Sequence, residues 1–572
     1  MRISIVTLIL IIMKNFILSF FLLSGFALMA QQTSTLVRLD TFGSTGNDEM
    51  YGTAVDSQGN IYNTGLFHNT VDFDPGTGIF ELTSNGNDEI FIQKLTADGQ
   101  FVWAKQMGSG NSDAGIYIQT DSNDNVYVMG WFSGTVDFDP GSGVFELTSA
   151  GSWDIFILKL NSNGDFIWAK RLGSDNLDFA SAMVLDDSGN IYLTGMFKET
   201  VDFDPGNGSF NLTAKGGWDI FVLKLDNDGN FVWAQNLGGN SYDKGRSITL
   251  DQANNIYVVG QFKETVDFDF STNVNELTAS DNYDAFVLKL DQDGNFIWVK
   301  QFEGNNQQDA VTVSVDDQQN VYIAGKYKEN IDVDPGTGTN TFTAGGNDYN
   351  SFIVKLDANG DLLWAETING DLNMLFHINI IDDIVYTGGY FTGSVQITWP
   401  SGFVGFTSAG DRDVIMLTYD ADGGLLNTKT FGGTGEDNLY KIIRYNQGIY
   451  VAGSFEGMVN FDENATGLTA TSNGEKDAYL MKIDTAFNSI DDNYKYAHFK
   501  IYPNPAHEKF YIELQEPQDV QVKIYERSGR IIRKENYRQK KLIPVKLIKT
   551  SSILFIEVSG KNFKETFKLI SR

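Results

Sequence analysis

The sequence predicts an all-β chain: a seven-bladed β-propeller followed by a small C-terminal β-sandwich. Three observations carry this expectation. A Trp-centred motif returns every 65 residues, each unit so marked holds about four β-like runs, and the composition favours turns between strands. The chain has 572 residues, with 58 Gly and only 9 Pro. Its 42 Phe, 24 Tyr and 9 Trp supply more apolar mass than a disordered chain carries.

The motif stands at Phe101-Val-Trp103, Phe166-Ile-Trp168, Phe231-Val-Trp233, Phe296-Ile-Trp298 and Leu362-Leu-Trp364, with weaker copies at Leu36-Val-Arg38 and Leu425-Leu-Asn427. A second landmark, Asn190-Ile-Tyr192 and its equivalents at Tyr62, Tyr127, Tyr257, Tyr322, Tyr386 and Tyr450, follows each copy. A third is an alternating strand, as in Asp154-Ile-Phe156-Ile and Asp219-Ile-Phe221-Val. All three series number seven. A lone four-stranded sheet cannot bury both faces, so the units must pack on one another, as propeller blades do. A parallel β-helix is the rival repeat fold, but its repeats are far shorter.

The unit boundary follows from the turns. Asp228-Gly229-Asn230 joins two alternating strands at hairpin spacing, so the Trp strand pairs with the strand just before it. The first such strand, Leu36 to Phe42, has no predecessor, and the last strand, Asp477 to Ile483, has no successor. Pairing them closes the ring and removes two exposed edges.

Composition excludes much chemistry. Without Cys there is no disulfide, thiol nucleophile or thiolate metal site, and four His are too few for a multi-histidine centre. Residues 31–494 hold 23 Lys+Arg against 66 Asp+Glu, a net of −43, whereas 495–572 carry 17 against 8, a net of +9. A body so acidic repels nucleic acid and anionic membranes, and the change of sign marks a boundary. A monomer is expected.

The first thirty residues read as an export signal. From Met13, a possible true start, MKNFILSFFLLSGFALMAQQ has a charged start, a short apolar core and a small-residue end. Cleavage is expected after about Ala30; an uncleaved anchor is the alternative, since 1–30 is long enough to span a bilayer. The expected divisions are 1–30 signal peptide, 31–488 propeller, 489–498 linker and 499–572 C-terminal domain.

Candidate sites are few. Thr-Val-Asp-Phe-Asp-Pro-Gly recurs and pairs Asp72 with Asp74, Asp137 with Asp139, and Asp202 with Asp204, carboxylates that could offer Ca²⁺ hard oxygen ligands. Turn chemistry, with carboxylates accepting from backbone N–H groups, accounts for the same pattern. Asp48, Asp113, Asp178, Asp243, Asp309 and Asp437 recur once per unit and read as structural acceptors. No nucleophile elbow, phosphate loop or histidine acid–base pair is present. The sixth unit departs most from the pattern, and unlike residues in a symmetric ring are where an asymmetric ligand is read. His377, Trp399 and Arg412 are therefore the candidate binding residues.

Three resemblances follow from these residues. Asn190-Ile-Tyr192-Leu-Thr-Gly195 and its copies resemble the SBBP-type β-propeller repeats of secreted bacterial proteins, over roughly 36–488. That implies the fold and leaves activity open. The Trp stretch is also similar to the tryptophan-docking motif of quinoprotein propellers, which implies a packing role for Trp between blades. The tail opens Tyr502-Pro503-Asn504-Pro505, ends Lys568-Leu-Ile, and resembles the C-terminal sorting domain of the type IX secretion system of Bacteroidetes, with Ile553-Leu-Phe555 where the usual pattern has Gly-x-Tyr. The resemblance implies export to the medium or cell surface and a partner in that machinery. The expected function is a non-catalytic binding or adhesion propeller for an extracellular glycan or protein. A secreted glycan-active enzyme using two carboxylates, or a structural spacer, is the alternative.

The signals act in series, so deleting 497–572 is expected to leave a folded propeller in the periplasm of a type IX-competent host. Cell fractionation checks this; a truncated chain found at the surface would make the tail an ordinary domain.

Overall fold

The computed structural model describes residues 35–484 and 499–571, apart from 346–347, 372, 400–401, 447, 462–467, 503–508, 527–530, 547–551 and 560–563. The segments 1–30 and 489–498 lie outside the described residues. Among the described residues every regular element is a strand. Contacts divide the chain into a large unit ending at Ile483 and a second unit formed mainly by Asp484–Arg572.

The large unit holds seven sheets with a common antiparallel path. In the first, Glu49–Val55, Ile61–Phe67, Glu89–Leu95 and Phe101–Met107 lie side by side in that order. The seventh combines Asn438–Tyr445, Gly448–Asn460 and Thr469–Asp484 with Thr35–Phe42 from the opposite end of the chain. The first strand of every sheet touches the first strand of the next, and the seventh touches the first, so these strands form the inner wall of a closed ring. Further bonds cross the closure: Asp48 N–H donates to the Lys476 carbonyl at 2.8 Å, and Tyr445 Oη donates to the Ser57 carbonyl at 3.1 Å.

The second and third strands of each sheet, such as Ile61–Phe67 and Glu89–Leu95, are buried on both faces. That is why they read as continuous apolar runs rather than strict alternation. Their cores are shared between neighbours: Tyr62 and Ile90 pack with Val128, Phe156 and Leu160 of the next sheet. Inner strands carry a bulge two or three residues in, which sets aside Tyr51, Ile116, Ser181, Arg246, Val311 and Phe376 from the pairing register. A bulge re-aims its side chain.

In five units a short two-stranded hairpin, such as Thr70–Asp72 with Glu81–Thr83, stands as its own sheet between the second and third strands. The sixth unit differs. Its hairpin, Ser394–Trp399 with Gly402–Thr407, has strands twice as long and pairs with Leu362–Gly370 of the preceding sheet, Ile368 opposite Ile397. Trp399 thus ends an outlying strand added to the fifth sheet, not part of the sixth.

In the second unit Phe499–Tyr502, Lys509–Glu526, Ser552–Ser559 and Lys564–Ser571 pair in order, with Ile531–Lys546 on the long strand. The long strand changes partner along its length: Ile512 lies opposite Ile501, and Ile524 opposite Ile556, with the register of its Ile531–Lys546 pairing broken between Glu513 and Val520. Both halves bury one core of Ile512, Leu514, Val522, Ile524, Ile543 and Ile556, the packing expected of a small sandwich. Tyr502 pairs with Tyr511, while Pro503, Asn504 and Pro505 lie outside the described residues.

Removing residues 31–43 takes away the strand that closes the seventh sheet and leaves an unpaired edge on Thr469–Asp484. The expected outcome is aggregation or a drop in melting temperature of about 10 °C or more, on the order of several kcal/mol. A truncated protein that melts like the parent would refute the closure.

Candidate functional site

The seven sheets have two unlike ends. At one, the inner strand turns tightly into the second strand and the third into the outer strand. Here the units repeat almost without change. Asp56 accepts from Asn60 Nδ2 at 2.8 Å and from Tyr62 Oη at 3.1 Å, and the same group recurs at Asp121, Asp186, Asp251 and Asp316. Lys94 sits over the Tyr62 ring at 4.9 Å and donates to the Ser162 carbonyl of the next unit's hairpin at 2.8 Å. Trp103 Nε1 reaches that same carbonyl at 3.4 Å, and Trp364 reaches the Ala421 carbonyl at 3.0 Å. The Trp side chains therefore pack between blades. The hairpin glycines lie on them: Gly423 has φ +83°, and a Cβ there would stand 2.8 Å from the Trp364 ring.

The other end carries the crossovers between strands and between units, and its residues differ from unit to unit. Just before the third strand stand Asp88, Trp153, Trp218, Tyr283, Tyr349 and Arg412 in turn, and Lys476 holds the equivalent place inside Thr469–Asp484. Near the end of the second strand come Leu66, Trp131, Met196, Gln261, Lys326 and Tyr390, with Ser454 at the equivalent place inside Gly448–Asn460. Beneath them lies a repeated staple. Asp113 takes the Ser109 and Ser133 amides at 2.7 and 2.8 Å, and Asp243 takes those of Gly239 and Lys263, both at 2.9 Å. Each Asp fastens the inter-unit loop to the loop after the second strand.

The fifth staple corrects the sequence reading. Gln308, not Asp309, occupies the repeated position, donating its amide to the Asn305 and Asn330 carbonyls at 2.7 and 2.9 Å. Asp309 is displaced by one residue and pairs instead with Arg246 at 2.7 Å and Lys326 at 3.9 Å.

The variable side chains touch around the ring. Trp131 stacks on Trp153 at 4.4 Å, Trp153 meets Phe179 at 5.6 Å, and Phe179 meets Trp218 at 6.0 Å; the backbone of Trp218 pairs with that of Tyr242, whose ring lies over Gly217. Next come cations on aromatic rings: Lys263 lies over Tyr283 at 5.2 Å, and Lys326 and Lys328 each lie over Tyr349 at 4.6 Å. Gln307 joins the two groups, accepting from Tyr349 Oη and donating to Gln261 at 2.9 Å. The remaining sector is closed by opposite charges. Arg412 lies over Tyr390 and faces Glu436 at 3.4 Å, Lys476 bonds Glu436 at 2.9 Å, and Tyr440 donates to Glu49 at 2.5 Å. The Lys476 ammonium bonded to Glu436 holds that carboxyl below its usual range.

The candidate binding residues do not converge. Arg412 stands on the variable end. His377 lies on the inner strand, 8% exposed, and burial, helped by the Lys441 cation, pushes its pKa well below the usual value. It is a neutral core imidazole. Trp399 is on the outlying hairpin, and its side chain lies outside the described residues.

The Ca²⁺ candidates Asp72, Asp74, Asp137, Asp139, Asp202 and Asp204 each accept backbone N–H groups of their own turns through one carboxylate oxygen. Asp72 accepts the Asp74 and Phe80 amides at 3.1 and 2.8 Å, and Asp74 accepts that of Gly76 at 2.8 Å. In the second unit Asp137 accepts the amides of Asp139 and Phe145 at 3.0 and 2.8 Å. Asp139 accepts the Gly141 amide at 2.8 Å. In the third unit Asp202 accepts the amides of Asp204 and Phe210 at 3.0 and 2.7 Å. Asp204 likewise accepts the Gly206 amide at 2.8 Å. The Pro-Gly turn aims main-chain N–H groups at one oxygen of each carboxylate, which is the arrangement turn chemistry expects. Among the described residues no three His, Cys, Asp or Glu gather as a metal site.

Comparison with known proteins agrees with the two-part organisation. Residues 232–261 match the beta-propeller repeat family and residues 500–572 the secretion system C-terminal sorting domain. The chain is a β-propeller repeat protein carrying a type IX sorting tail. The tail sends it to the medium or the cell surface. Curated relatives include an uncharacterized WD repeat-containing protein of Acanthamoeba polyphaga mimivirus, 25% identical over 69% of this chain, and the regulatory protein FlaEY of Caulobacter vibrioides, 22% identical over 71%. The propeller protein spans only about a third of their lengths, 34% and 36%. Among solved structures, the Neurospora crassa Pan2 WD40 domain is covered over 97% by 78% of this chain at 10% identity and a TM-score of 0.34. A Bacteroides caccae protein of unknown function is covered over 88% by 59%, at 9% and 0.31.

Burial raises several staple carboxyls against the pull of the amides they accept, Asp48 and Asp243 to about 6 and Asp437 to about 7; Asp477, beside Asp48, also reaches about 7. A carboxyl that holds its proton more tightly when folded stabilises the fold at low pH and loses that contribution as pH rises through about 6 to 7. The melting temperature is therefore expected to be higher at about pH 5 than at about pH 8, and Asp437→Asn should reduce the difference. A melting temperature that falls on acidification to about pH 5 would contradict the assignment.

Proposed function

We propose that the exported propeller is a non-catalytic binding or adhesion module whose ligand docks on the variable end of the ring. One observation carries this reading. The first five units keep Asp, Asn, Tyr, Lys and Trp fixed at one end while their side chains at equivalent positions of the other end diverge. Backbone and packing demands are alike at equivalent positions, so blade stability does not ask for Asp88, Trp153 and Arg412 at one place. Random drift would erode both ends. Among these five units divergence is concentrated at one end, which is what a ligand without rotational symmetry requires.

The chemistry there suits binding. Tyr, Trp, Arg and Lys dominate, residues that bury much area or pair with charge at little conformational cost. Carboxylates at this end already accept from partners: Asp309 from Arg246, Glu49 from Tyr440, Glu436 from Lys476, and Asp88 from Ser112. The carboxyls with raised pKa are turned inward on backbone amides, out of a substrate's reach.

The full secreted chain, screened on glycan and protein arrays, is expected to bind a defined ligand and to lose that binding when Trp218 and Tyr242 are changed to Ala. Polysaccharide turnover abolished by one carboxylate substitution, such as Asp309→Asn, would overturn the reading in favour of an enzyme.

A further inference from the structure

The variable end is unequal around its circumference, and the inequality points to a ligand class. Two sectors adjoin. From the second to the fourth unit runs an arc of aromatic rings, Trp131, Trp153, Phe179, Trp218 and Tyr242, in which Tyr242 is 50% exposed and the tryptophans are half-buried. Across the fourth and fifth units Lys244, Lys263, Lys326 and Lys328 gather with Tyr283 and Tyr349. Asp309 is the anion buried among them, and Arg246 takes it bidentately through Nε at 3.2 Å and a terminal nitrogen at 2.7 Å. Glu264 and Glu329 follow Lys263 and Lys328 in left-handed turn conformations, and Glu329 accepts from Asn306. Around Lys326 the cations Arg246, Lys244 and Lys328 gather on the single carboxylate Asp309. Lys244 and Lys326 have pKa values lowered by burial, with Arg246 close to both, which marks them as crowded cations.

This is a local cluster of cations in a body whose net is −43. Flat half-exposed rings stack on the apolar faces of sugar rings, and the lysines beside them can pair with carboxylate or sulfate groups on the same chain. Nucleic acid fits less well. A polyanion carrying a charge every ~1.7 Å would extend past the lysines onto the acidic surroundings, whereas one charge per sugar matches a patch a few residues wide.

Resting on the binding role proposed above, we propose that the arc from Trp131 to Tyr349 binds an anionic polysaccharide, with sugar rings on the aromatic sector and acidic groups on the lysine sector. The test is affinity electrophoresis of the full chain in gels containing polygalacturonate, chondroitin sulfate or neutral dextran, with duplex DNA as a high-charge control. Retardation is expected with the two anionic polymers, weakening as NaCl rises, and little with dextran or DNA. Lys263→Gln with Lys328→Gln should weaken it about five-fold, as expected for losing charge pairs at a surface. Lys263→Arg with Lys328→Arg should restore it, which separates charge from folding. Trp218→Ala with Tyr242→Ala should abolish retardation by both polymers. Equal retardation by dextran, or lysine variants that bind like the parent, would overturn the anionic assignment while leaving a binding module. Tighter retention by DNA would replace the polysaccharide with nucleic acid. Failure to bind any polymer beside a protein hit on the arrays would overturn the ligand class and keep the binding role.

Discussion

The ring depends on one repeated joint. A lysine from the third strand of one sheet lies over that sheet's tyrosine and donates to a carbonyl in the next sheet's hairpin, as Lys159 does to Asn227 at 3.0 Å and Lys355 to Ala421 at 2.9 Å. A hydrogen bond contributes about 1 kcal/mol and a partly buried cation–π contact a similar amount, so no joint is strong alone. Six units carry the lysine over the tyrosine, and closed in a circle they act together. Opening one blade exposes the apolar second and third strands of its neighbours, and the circle leaves no free end from which to begin. The joint at the chain termini departs from the pattern and still uses the same place: Arg38 stands where five other units have Trp and packs against Gly99 of the first hairpin.

Because stability is concentrated at the turn end and in the shared cores, the crossover end is released from it. The Asp staples then hold the crossover loops in place without dictating the side chains above them. Asp113 and Asp243 accept main-chain amides, and Ser112, Tyr242 and Lys244 beside them are free to differ. The same device explains why Gln308 can replace an Asp. The staple needs a buried side chain that satisfies main-chain groups, and an amide donating to two carbonyls does so as well as a carboxylate accepting from two amides. The exchange frees Asp309 to organise the neighbouring cations.

The repeat itself was legible because its signals are local. Trp at a 65-residue period, Asp-Gly-Asn turns and alternating runs fix strand order and hairpins, and the ring closure followed from counting strands without partners. The site was less legible for physical reasons. Which end of a blade carries the variable residues depends on strand direction in the assembled ring, so Trp153, Trp218 and Tyr349 read as isolated aromatics when taken one unit at a time. Aligning the seven units against one another, position by position, is the signal that would have found them. Asp309 fell out of register by one residue, since an Asp near the right spacing looks like the staple until its partners are known. Asp139 and Asp204 read both as halves of cation sites and as turn acceptors, because spacing alone does not say where a turn's N–H groups point. His377 and Trp399 were singled out as departures from the repeat. One is a departure that the core absorbs, and the other belongs to a lengthened hairpin that docks on the preceding sheet.

Charge distribution then links the site to the destination. A propeller with a net of −43 repels polyanions and its own copies over most of its surface, which favours solubility outside the cell. Against that background a small cationic sector is selective by exclusion: an anionic ligand is tolerated only where Lys263, Lys326 and Lys328 face it, so the acidic surroundings fix register as the lysines supply attraction. The sorting tail has the opposite sign, +9, and rests on a separate core of Ile512, Ile524 and Ile556. Address and binding surface therefore use different charges on different cores, and a change in one leaves the physical basis of the other intact.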